Sequence, residues 1–136
     1  NIDENRFIFF TADFLGHSVA PSLNTFRLDA IIKEMEVTSL SPADFLANIK
    51  ASLYTLLEPG QFATMLCAII EPKNDRLVYA DAAALEPIFG NVTTQNASLM
   101  DGSGILLGVR ENSTYEDKEI EFPKGSFMSL FSDALL

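Results

Sequence analysis

The sequence predicts an α+β fold, with helices packed on antiparallel sheets. Three observations carry that prediction. A short, continuous apolar run at Arg6 to Ala12 has the length and texture of a buried strand. Two segments with helical spacing of apolar residues follow it. Beyond Gly60 the apolar residues alternate instead, in short runs separated by turn residues. Strand, two helices and then a meander is the order of an α+β domain.

Each element has its own justification. The first helix is expected over about residues 18–36, with Pro21 in its first turn, where a missing N–H costs nothing. Val19, Leu23, Phe26 and Ala30 share one face, and Leu28, Ile31, Ile32 and Met35 widen it. A helix this apolar is expected to be largely covered. The second helix opens at SLSPADFL, with Ser41 as N-cap, Pro42 at the first helical position and Asp44 completing the capping pattern. Phe45, Ile49, Leu53 and Leu56 form its stripe, and Pro59-Gly60 ends it. QFATMLCAIIE and RLVYADA then form a hairpin across Pro72-Lys73-Asn74-Asp75. Shorter strands are expected around Ile88-Phe89, Ala97 to Met100, Ile105 to Val109, Thr114 to Phe122 and Phe127 to Ser132. Turns fall at Asp101-Gly102 and Pro123-Lys124-Gly125.

Composition narrows the function. The chain has 136 residues, 48% of them hydrophobic and 21% charged, enough to bury one domain's core. Its net charge of −10 argues against nucleic acid or an anionic membrane as partner, since both require clustered Lys and Arg. It suits a cation or a protein with a basic face. No apolar run has the length of a membrane span and no signal peptide is evident, so a cytoplasmic location is expected. Cys67, the single cysteine, lies in the apolar run FATMLCAII and reads as a core residue. The sequons at Asn91, Asn96 and Asn112 read as turn residues.

Two acids attract a chemical reading. Asp13 follows the first apolar run, and Asp133 follows the last, GSFMSLFSDALL. On neighbouring strands the two carboxylates could meet at one edge and serve a hard divalent cation such as Mg²⁺ or Mn²⁺. Each could equally cap a turn after its strand. His17, after Gly16, reads as ligand, acid or structural donor. No glycine-rich phosphate loop is present.

Residues 12–23, ADFLGHSVAPSL, resemble the G-D-x-x-G-H-G-x-x-A-A-L motif of the SpoIIE/RsbU-like branch of the PPM (protein phosphatase 2C-like) serine/threonine phosphatases. Five further stretches resemble that family in order: SPADFLANIKASL, QFATMLCAII, LVYADAAALEPIF, GILLGV and FPKGSFMSLFSDAL. Together they cover nearly the whole chain. The resemblance implies a β-sandwich of antiparallel sheets flanked by helices, with two Mn²⁺ or Mg²⁺ ions at one end. Asp13 and Asp133 match the family's metal-binding, catalytic aspartates, and the backbone carbonyl of Phe14 falls at a further metal contact. The implied reaction is hydrolysis of a phosphoserine or phosphothreonine. The implied substrate is a phosphorylated regulator such as an anti-sigma-factor antagonist, often with a receiver or sensor module attached.

The pattern is also broken. Ala12 and Ser18 stand where the first motif has glycines, Ala82-Ala83-Ala84 where the family has A-G-H, and Ala134 where a glycine follows the last aspartate. Such glycines commonly serve positive φ or close backbone approach. The alternative expectation is therefore a degenerate phosphatase fold that binds a sigma-factor regulatory protein without turnover. The chain is expected to be a single domain, residues 1–136, truncated at both ends and weak or inactive alone. A homodimer, formed through an exposed sheet edge, is among the expected states.

Overall fold

A computed structural model describes residues 5–15, 21–36, 39–100, 104, 106–108 and 114–131. The elements run β1 (Phe7–Leu15), α1 (Pro21–Glu34), α2 (Pro42–Leu56), β2 (Phe62–Glu71), β3 (Arg76–Ala82), β4 (Ile88–Asn91), β5 (Asn96–Leu99), β6 (Lys118–Glu121) and β7 (Ser126–Ser129). Four strands form one sheet in the order β1-β2-β3-β6, and three form a second in the order β5-β4-β7. All named strand pairs are antiparallel.

The alternation along β2 explains the layering. Met65 and Cys67 face α1 and α2, in a core with Leu28, Phe45, Leu46, Ile49 and Leu53. Leu66 and Ala68 face the second sheet, in a core with Leu77, Tyr79, Phe89, Met100 and Met128. Strand side chains alternate between faces, so one central strand serves both cores. The result is three layers: helices, a four-stranded sheet and a three-stranded sheet. Among the described residues both helices lie on one side, whereas the sequence reading did not specify sides.

Local chemistry accounts for the best-defined elements. Ser41 Oγ accepts the Asp44 N–H at 3.2 Å. Asp117 Oδ1 accepts the Ala43 N–H at 2.8 Å, so a second helix-start amide is satisfied from just ahead of β6. The β2–β3 turn is a single 3-10 turn at Pro72–Asn74, closed by Asp75 at φ 47. Aspartate is among the residues that tolerate this left-handed conformation. Asn91 anchors the β4–β5 turn: its Oδ1 accepts the Thr93 N–H at 2.8 Å, and its Nδ2 donates to Lys124 O and Ser126 Oγ. That bears out the turn reading of Asn91. Asn96 instead opens β5, and Asn112 lies outside the described residues.

Several expectations need correction. β1 continues through Asp13 to Leu15, so Asp13 sits inside the strand and not after it. Among the described residues β1 is also an edge strand rather than a buried one, with Phe9 and Phe10 both more than 40% exposed (45% and 43%). Its apolar run reflects partial cover on both faces. Within its described span Pro21–Glu34 and just beyond it, α1 buries its other stripe: Leu28 is buried, and Ile31, Ile32 and Met35 pack on the core, while Leu23 and Phe26 face solvent. Val19 lies outside the described residues. The expected strand at Thr114 to Phe122 shrinks to Lys118–Glu121, the length that β3 can pair. Of Ile105 to Val109, Leu107 makes an isolated bridge to Ala63, and Ile105 and Val109 lie outside the described residues, as does the Asp101-Gly102 turn.

Candidate functional site

β1 and β2 place Asp13 opposite Thr64 and Thr11 opposite Leu66. Cross-strand partners share a face, so Asp13, Thr11 and Thr64 all project on the face turned toward the second sheet. There they line a cleft of about 130 Å³. Its remaining wall is Ala12, Leu15, Ala83, Ala84, Leu85 and Phe131. Asp13 is half-buried at this position.

The backbone of Phe14 has a defined direction. Ala63 donates its N–H to Leu107 O at 3.1 Å and accepts the Leu107 N–H at 2.9 Å. In an antiparallel ladder, a residue bonded on one side turns away from its partner on the other. Phe14 lies opposite Ala63, so its C=O points away from β2, along the outer edge of β1. Its ring packs toward the helices. Asp13 and Phe14 therefore present one carboxylate and one carbonyl around the end of the same strand. Both are hard oxygen donors of the kind Mg²⁺ and Mn²⁺ take. Among the described residues no group of three or more His, Cys, Asp or Glu side chains is arranged to hold a metal. Asp133 and His17 lie outside the described residues, as do Ser18 and Ala134.

Ala83 carries the clearest mark of a missing glycine. It stands at the glycine position of A-G-H and adopts φ 56. The left-handed backbone survives with an L side chain in it, at about 1 kcal/mol of strain. Ala83 and Ala84 present methyl groups to the cleft.

The sequence reading missed Asp81. It is 5% exposed, on β3, and projects on the same sheet face as Thr11 through the shared partner Leu66. Its Oδ1 accepts the Ala84 N–H at 2.7 Å, and its Oδ2 accepts the Gly104 N–H at 3.4 Å. The available signal was an acid inside the apolar run LVYADAA, where an ionisable group needs partners to stay buried. Cys67 is buried as expected, and its thiol pKa is pushed up by burial, with the Asp117 charge adding to it. A thiol so poised is no nucleophile.

Two stacked antiparallel sheets with α1 and α2 against one of them make the α+β architecture of PP2C-type phosphatase domains. The chain belongs to the SpoIIE family: the profile of Stage II sporulation protein E (SpoIIE) matches residues 3–136. It is similar to the phosphoserine phosphatase RsbU of Bacillus subtilis (strain 168), 23% identical over 125 residues, which cover 91% of this chain and 37% of RsbU. The chain thus spans little more than a third of that relative. Its fold is similar to the PP2C phosphatase domain of SpoIIE from Bacillus subtilis, with a TM-score of 0.76 at 10% identity, over 98% of this chain and 39% of that one. It also resembles RsbX in complex with magnesium, with a TM-score of 0.73 at 15% identity, over 98% and 63%. No helix among the described residues is long and apolar enough to cross a membrane.

Proposed function

We propose that this chain is the metal-dependent serine/threonine phosphatase domain of a cytoplasmic bacterial signalling protein. Its substrate would be a phosphorylated regulator such as an anti-sigma-factor antagonist. The observation that carries the reading is the cleft that Asp13 shares with Phe131. Asp133 lies only two residues beyond Phe131 in the chain. The Asp13 carboxylate, the Phe14 carbonyl and Asp133 would hold Mn²⁺ or Mg²⁺. Once bound, such an ion lowers the pKa of a coordinated water and offsets the charge of a phosphoryl group. Thr11 and Thr64 would offer hydroxyls to the phosphoryl oxygens, and the Ala83–Leu85 wall would exclude bulk water from one side.

Calorimetric titration with Mn²⁺, and phosphate release from a phosphoserine peptide, test this on the full chain. Asp13→Ala is expected to weaken Mn²⁺ binding by about a hundredfold or more, since loss of a group that merely supports a ligand already costs roughly 10–100-fold, and to abolish phosphate release. Undiminished Mn²⁺ binding in that variant would sink the proposal.

A second reading is supported by the methyl-lined Ala83-Ala84 corner, which offers no imidazole. It is a pseudophosphatase that binds a sigma-factor regulatory protein without turnover. Binding to such a partner that survives Asp13→Ala and chelation of metal would favour it. The edge of β1, paired on one side only among the described residues, is the natural route to a homodimer in either case.

A further inference from the structure

We infer that Asp81 is a positioning residue, a buried clamp that sets the shape of the Ala83–Leu85 wall of the Asp13 cleft. The inference rests on the reading of that cleft as a phosphoryl site, and it adds a residue that does not touch the substrate.

Three observations converge on Asp81. Its carboxylate is buried, yet it does not line the cleft. Each of its oxygens takes a backbone amide from a different segment, Ala84 on one side and Gly104 on the other. Between Asp81 and Ala84 lies Ala83, whose φ of 56 an alanine would not choose by itself. The Ala84 N–H lies 2.7 Å from Asp81 Oδ1, at the short end of the range for N–H···O bonds. The bond closes a three-residue turn and holds Ala83 in its left-handed conformation. Gly104 completes the arrangement. A Cβ there would collide with the Asp81 carbonyl and lie 2.9 Å from Ala82 Cα, so only glycine lets that segment approach.

Asp81 is not a donor to the ion that Asp13 would hold. It sits two strands away, about 10 Å at ordinary strand spacing. It acts through Ala83 and Ala84, whose positions decide how closely a phosphoryl group and its leaving side chain can seat.

The test compares Asp81→Ala with Asp81→Asn, whose amide oxygen still accepts the Ala84 N–H, and adds Ala83→Gly to Asp81→Ala. The first readout is amide hydrogen exchange at Ala84 and Gly104, which needs no activity. Exchange at both is expected to quicken about tenfold in Asp81→Ala while mid-β3 amides keep their rates. Unchanged exchange at Ala84 would overturn the clamp, whether or not the protein releases phosphate. The second readout is hydrolysis of para-nitrophenyl phosphate with Mn²⁺. Asp81→Ala is expected to raise KM about tenfold, with the Mn²⁺ Kd held within about threefold. Asp81→Asn and the Ala83→Gly double variant are each expected to recover most of that loss. A shifted Mn²⁺ Kd with unchanged KM, or no recovery in Asp81→Asn, would overturn the positioning role. Should Asp81→Ala fail to fold, Asp81→Asn carries the exchange measurement at Gly104, whose acceptor it replaces with a donor. Wild-type protein that neither binds Mn²⁺ nor hydrolyses the ester overturns the phosphatase reading alone, and the exchange data then decide on the clamp.

Discussion

At the scale of single residues, Ala83, Gly104 and Cys67 each carry a different kind of cost. Ala83 retains the backbone that a glycine would take, so the strain is local and reversible. Ala83→Gly is expected to raise stability by about 0.5 kcal/mol, because relief of the left-handed strain exceeds the added freedom of the unfolded chain. A urea titration showing a higher midpoint at constant slope checks this. Gly104→Ala is expected to cost about 3 kcal/mol, the upper range for forced overpacking, since its new Cβ meets backbone that cannot rotate away. Cys67 makes a third case. Its thiol pKa is raised above the ordinary value of 9.0, so the folded state holds a proton that the unfolded state gives up. Its contribution is fully present below pH 9 and is lost as pH rises beyond that. Stability measured from pH 8 to 10.5 should therefore fall more steeply in the native protein than in Cys67→Ala. Equal slopes would remove Cys67 from the account.

At the scale of elements, the two helices show where a sequence can be read and where it is ambiguous. α2 announces itself: Ser41, Pro42 and Asp44 define its start, and Phe45, Ile49 and Leu53 are buried as read, with Leu46 added, whereas Leu56, read as the end of that stripe, is exposed where the helix runs out. α1 carries two apolar stripes around one cylinder, and spacing alone does not say which one meets the sheet. The answer lies in packing on α2 and in the core shared with Met65 and Cys67 of β2, which the spacing of α1's own residues does not encode. Phe26 is 77% exposed and Phe45 only 1%. Phe26→Ser is accordingly expected to change stability by no more than about 0.5 kcal/mol, and Phe45→Ala to cost about 4 kcal/mol. Thermal unfolding of the two variants checks this, and a loss in Phe26→Ser as large as that in Phe45→Ala would mean that the Phe26 face of α1 is covered. The strands after Met100 were hardest to delimit. They are short, and their lengths are set by how far a neighbour pairs with them, not by their own residues.

At the scale of the whole molecule, fold class and hairpin were legible because they follow from order and period. The pairing of β3 with β6, and of β4 with β7, was not, because it joins segments far apart in the chain. The candidate site was legible only in part for the same reason. Asp13 stands out beside an apolar run, but its cleft is assembled from β1, β2, the segment after β3 and the segment after β7. Asp81 escaped notice because its purpose appears only when Gly104 arrives from elsewhere.

The outer position of β1 among the described residues has one more consequence. A strand with a neighbour on only one side frays more readily than one held on both. Under the proposed site, Asp13 and Phe14 would tie that rim to an ion. Ion loading and straightness of the rim would then be two sides of one equilibrium, each strengthening the other. Chelation should loosen Phe7–Leu15 first and leave Phe62–Glu71 for last. The cation would act as a removable rivet on the protein's hem.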